Sequence, residues 1–73
     1  MKIQFSEHAQ LQLHKRPQIN REMVIEAIDS LDSVRISYRG RHIFRKQIGN
    51  KLIEVVAASE SDTIIVVTQY LQE

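Results

Sequence analysis

Seventy-three residues, with ten Lys and Arg against nine Asp and Glu, make one small domain of formal net charge +1. The chain has no cysteine, which excludes disulfide staples and thiolate metal sites, and its three histidines, His8, His14 and His42, are too scattered for a zinc site. A composition of 42% apolar and 26% charged residues, with no leader segment and no run able to span a bilayer, fits a globular cytoplasmic protein needing no metal or cofactor.

Taken in chain order, the stretch KIQF alternates, with Ile3 and Phe5 on one side, and predicts a short strand. Ser6 then has the character of an N-cap, and Glu7 suits the positive end of the helix that follows. That first helix is expected from residue 7 to 15 or 16, with Ala9 and Leu13 on one face and Leu11 widening the stripe. Pro17 disfavours helix at Arg16 and ends it. Asn20 caps a second helix, flanked by Ile19 and Val24 at the two hydrophobic-staple positions. Met23, Val24, Ala27, Ile28 and Leu31 recur at helical spacing, while Glu22, Glu26 and Asp29 face outward.

After residue 33 the period changes to two. Val34, Ile36 and Tyr38 alternate with Arg35, Ser37 and Arg39, and Gly40 marks a turn. Further strands are expected over 41–48, 51–58 and 63–70, separated by Gly49-Asn50 and by SESD. Gly first and Asn second suits a type II′ hairpin, which pairs Ile48 with Lys51, Arg45 with Glu54 and Phe44 with Val55. Phe44, Ile53, Val55 and Ala57 then face the helices. Arg41, Ile43, Arg45, Leu52, Glu54 and Val56 face away. A three-residue turn at Gly40 would keep Ile36 inside and set Arg35 beside Arg45 on the outer face. IIVV, apolar at every position, predicts a last strand covered on both faces, with KIQF or a partner beside it. The expected fold is α+β: a short N-terminal strand, then two helices packed on one face of a four-stranded antiparallel sheet.

The near-neutral total hides a segregation of charge. No acid occurs between Asp32 and Glu54, and six of the ten bases lie there: Arg35, Arg39, Arg41, Arg45, Lys46 and Lys51. Such a cluster makes a local positive field of the kind that attracts phosphate. The alternative is a solvated sheet face on which Arg45 pairs with Glu54 across strands.

In order and spacing, FSEHA, Arg16, INREMVIEAI, GRHIFRK, LIEVV and IIVVTQY resemble the small bacterial family called domain of unknown function 4258. The resemblance covers nearly the whole chain, and so implies a single domain over residues 1–73. It implies a RelE-like fold within the barnase-EndoU-colicin-RelE group of ribonucleases, and a toxin component neutralised by an antitoxin partner. It singles out His8, Arg16, Thr68 and Tyr70 as matches to family positions. Gln12 stands where the family often carries Arg.

Metal-free RNA cleavage needs a base for the 2′-OH proton, an acid for the leaving oxygen and cations for the phosphate. With the resemblance added, His8, Arg16, Arg45 and Tyr70 are the candidate catalytic residues, and Arg35, Arg39, Arg41, His42 and Lys46 the candidate RNA contacts. Each also has a structural reading. His8 can cap or pack at a helix start, Arg16 complements a helix C-terminus, and His42 can end a sheet. Lys46 can snorkel from the helix side, and Tyr70 can pack in the core. Glu54 is the outer face's one carboxylate and a possible base. Three functions stay open: a metal-independent ribonuclease acting on mRNA or ribosome-associated RNA, a non-catalytic RNA-binding module, and a protein-interaction module. The last would be homodimeric or antitoxin-bound, through strand 63–70 or the apolar outer face.

Overall fold

The switch in hydrophobic period after residue 33 does separate the helices from the main run of strands. The computed structural model describes residues 2–16, 18–30 and 32–72. It runs β1 (Lys2–Phe5), α1 (Glu7–Lys15), α2 (Arg21–Asp29), β2 (Val34–Tyr38), β3 (Arg41–Ile48), β4 (Lys51–Glu60) and β5 (Thr63–Gln72). Pro17 and Leu31, read above as a helix stop and a helix-face residue, lie outside the described residues, as does the side chain of Tyr38.

The sheet is five-stranded and mixed, ordered β1-β5-β4-β3-β2, which corrects the expected four-stranded antiparallel sheet. Strands β2 to β5 form the antiparallel meander, and β1 adds parallel to β5, with Ile3 beside Ile64 and Phe5 beside Val66. The physical reason lies in IIVV: at the meander's edge it would present an apolar strand with unpaired backbone groups. With β1 in place, the edge of β5 is paired over residues 63–66. Its outer face stays uncovered, so Ile65 and Val67 are only half-buried.

Both helix starts form as their caps dictate. Ser6 Oγ accepts from the Ala9 N–H at 3.1 Å, and Asn20 Oδ1 accepts from the Met23 N–H at 2.9 Å. The staple residues Ile19 and Val24 are both buried. Both helices pack on one face of the sheet, α1 over β5 and α2 over β4 and β3. Phe5, Ala9, Val24, Ala27, Phe44, Ile53, Val55 and Val66 fill the space between the layers. Leu11, expected to widen the buried stripe, is 50% exposed, because Ala9 and Leu13 already span the contact.

Two local irregularities decide which side chains reach the uncovered face. The first is the β2–β3 turn, where Tyr38 pairs with Arg41 across a two-residue loop rather than three. Arg39 and Gly40 have φ of 51° and 75°, the signs of a type I′ turn. Arginine rarely adopts that conformation, so the sequence does not announce it. Shortening the turn by one residue flips β2. Ile36 sits beside Ile43 and Val34 beside Arg45 on the open face, while Arg35 sits beside Phe44 on the helix side and not beside Arg45. By contrast, the Gly49-Asn50 hairpin forms with the expected pairing, and only its glycine has positive φ, at 63°.

The second irregularity is a bulge in β5. Val56 pairs with Thr68 and Ala57 with Val66, so Val67 is an extra residue. Val66 faces the helices before the bulge, and Gln69 and Leu71 face them after it. Strict alternation from Val66 would have turned Tyr70 inward; the bulge turns it to the open face. Ser6 holds this bulge: its N–H donates to Val66 O at 2.9 Å and its hydroxyl donates to Val67 O at 3.1 Å. One serine therefore caps α1 and sets the phase of β5. Gln69, turned inward and 2% exposed, donates from Nε2 to Ala9 O at 2.9 Å and ties α1 to the sheet.

Candidate functional site

Because both helices occupy one face, the other face of the sheet is open. Across it, Arg45 of β3, Glu54 of β4 and Tyr70 of β5 are direct cross-strand neighbours in one row. Tyr70 donates its hydroxyl to Glu54 Oε1 at 2.6 Å, and Arg45 Nε donates to Glu54 Oε2 at 3.2 Å. Glu54 is 3% exposed, so its charge is stripped of water and depends on these two donors. The Arg45 side chain is 42% exposed, and among the described residues only its Nε has a partner. Its outward amino groups remain available to a second anion.

The phenol of Tyr70 is held above its ordinary pKa of 10.0, chiefly by its hydrogen bond to Glu54, then by burial and by the carboxylate's charge; Arg45 partly offsets this. Tyr70 is therefore a protonated donor at neutral pH. Next to this row lies a hollow of about 420 Å³ lined by Arg39, Arg41, Ile43 and Val56. Ile43 and Val56 are cross-strand partners, and Arg41, Ile43 and Arg45 follow one another along the open face of β3. No acid pairs with Arg41 among the described residues.

Arg39, Arg41, Arg45 and Tyr70 thus gather at the open face, around the Glu54 that the hairpin register had already placed there. The other candidates lie elsewhere. Arg35 and His42 share the helix side of the sheet, where Arg35 Nη2 lies 3.3 Å from both ring nitrogens of His42 and Ser37 Oγ lies 3.1 Å from Nδ1. Lys46 is also on the helix side: its side chain is 12% exposed and donates Nζ to Ser30 Oγ at 2.7 Å, with Asp32 Oδ2 3.9 Å away. It secures the C-terminus of α2, whose cap is Ser30. His8 is an exposed residue of the first turn of α1, and Arg16 is the C-cap of that helix, its N–H donating to Gln12 O. Both belong to the helical layer, across the sheet from Arg45 and Tyr70.

The Tyr70–Glu54 bond was not legible in the sequence, because plain alternation hides a bulge. The one available signal was IIVV itself, since a run apolar at every position is where a phase change leaves no mark. No family model, curated protein or solved structure matches the chain. Among the described residues no helix is long and apolar enough to cross a membrane, and no cluster of three or more His, Asp or Glu could hold a metal ion.

Proposed function

We propose that this protein is a small metal-independent ribonuclease of RelE-like type, with its working surface on the open face of the sheet. The observation that carries this reading is the Arg45–Glu54–Tyr70 row, which puts a half-exposed cation, a buried carboxylate and a protonated phenol side by side on the face of the sheet that the helices leave open. RNA supplies the counter-charge for the cations of that face.

The chemistry follows from what each group can do. Arg45 turns its guanidinium from Glu54 to the non-bridging oxygens of a phosphate, a planar fork meeting two acceptors. The freed Glu54 oxygen takes the proton of the neighbouring 2′-hydroxyl. The O2′–P bond forms and the P–O5′ bond breaks, leaving a 2′,3′-cyclic phosphate. Tyr70 gives its proton to the departing 5′-oxygen and recovers one from Glu54, so the proton count balances. The resemblance to domain of unknown function 4258 adds the setting: a toxin component acting on mRNA or ribosome-associated RNA and restrained by an antitoxin.

A second reading has its own observation. Both Glu54 oxygens are already occupied, a resting arrangement equally suited to an RNA-binding module without chemistry. The test is RNA integrity after brief, tightly controlled expression of wild type, Glu54→Gln, Tyr70→Phe, Arg45→Ala and His8→Ala. Fragmentation by wild type and His8→Ala, with the three sheet variants silent, is expected. Loss in His8→Ala alone would move the chemistry to the helix start. Intact RNA throughout, with salt-dependent RNA binding retained, would leave the binding module.

A further inference from the structure

We infer that the hollow beside the Arg45–Glu54–Tyr70 row selects a guanine base of single-stranded RNA. This rests on the RNA reading above and deepens it by naming the preferred nucleotide.

The hollow has an apolar floor, Ile43 against Val56, and an arginine rim, Arg39 and Arg41. A flat base can lie on such a floor. Backbone groups of β3 and β4 are engaged in their ladder, so recognition falls to the rim. Among the described residues, the polar side chains of the lining are both arginines, which donate hydrogen bonds and cannot accept them. Guanine presents two acceptors side by side, N7 and O6, the pair an arginine fork engages in bidentate fashion. At the corresponding edge adenine and cytosine place an amino group and uracil a C5–H beside its O4, so none of them offers two adjacent acceptors there. Charge points the same way, since no acid pairs with Arg41 among the described residues.

Spacing connects the hollow to the row. Ile43 lies two residues from Arg45 on the same face of β3, about 7 Å along the strand. A phosphate on Arg45 therefore leaves the adjoining nucleotide's base over Ile43, and Arg41, another 7 Å or so beyond, closes on its far edge.

The test uses uncleavable 2′-O-methyl octanucleotides of uridine carrying one central G, A, C or 7-deazaguanine, with affinity read by fluorescence anisotropy on wild type and Arg41→Ala. Wild type is expected to bind the G oligomer at least about fivefold more tightly than the A, C and all-U oligomers. That preference should vanish with 7-deazaguanine, which lacks the N7 acceptor, and in Arg41→Ala. Equal binding of all oligomers by wild type would overturn the base assignment while leaving RNA binding in place. No binding to any oligomer would overturn both. A guanine preference that survives in Arg41→Ala would show that the base is read elsewhere.

Discussion

Replacing Tyr70 by Phe isolates the contact on which the proposed site depends. The ring and its packing are kept; only the hydroxyl that donates to Glu54 Oε1 at 2.6 Å is lost. Glu54 is 3% exposed, so water replaces the lost donor poorly. A hydrogen bond to a charged group contributes about 1.5–3 kcal/mol. For a domain of this size, total stability is roughly 4–11 kcal/mol, so the loss is a large share. In urea denaturation followed by circular dichroism, an m-value of about 1 kcal/mol/M converts it to a midpoint lowered by about 1.5–3 M. The effect carries a pH signature. The phenol's pKa is raised above 10.0 in the folded protein, so its stabilisation is complete below pH 10 and falls as pH climbs through the raised value. Wild type should therefore lose stability in that alkaline window, and Tyr70→Phe should lack that component. A change below about 0.5 kcal/mol, the range of an ordinary surface substitution, or an unaltered alkaline profile, would refute a desolvated Tyr70–Glu54 bond.

Four other outcomes are expected. Ser6→Ala should cost about 1 kcal/mol as a lost helix cap, and because Ser6 also holds the β5 bulge, it should bring the alkaline titration of Tyr70, read by phenolate absorbance against Tyr70→Phe, toward its ordinary position. Gly40→Ala should cost about 1–2 kcal/mol through its φ of 75°, since among the described residues no atom beyond its chain neighbours lies within 4 Å of an added Cβ; an unchanged midpoint would argue against the two-residue turn. Arg45→Ala should lower both stability, by leaving Glu54 buried without its cation, and RNA affinity. Lys46→Ala should lower stability through its lost bond to Ser30 but leave the salt dependence of RNA binding unchanged, and a reduced slope would place Lys46 among the phosphate contacts.

Much of this protein follows from local rules. Ser6 and Asn20 mark the helix starts because a side-chain oxygen beside a free N–H works the same way in any fold. Gly49-Asn50 sets the β3–β4 register because a two-residue turn with positive φ at its glycine leaves one pairing open. That register alone put Arg41, Arg45 and Glu54 on one face and Lys46 on the other. What could not be read locally is where one backbone answers to a distant one. Strand β1 finds β5 across the length of the chain: the sequence calls for KIQF or a partner beside IIVV, and only the folded sheet decides between them. Arg39 enters left-handed space because the turn it joins is held by strands on both sides. The bulge at Val67 exists because Ser6, 61 positions earlier, binds its carbonyl, and that contact turns Tyr70 from the core to the carboxylate of Glu54. The ingredients of the candidate site were present in the sequence. Their meeting is a property of the folded sheet, where one extra residue exchanges the two faces of a strand.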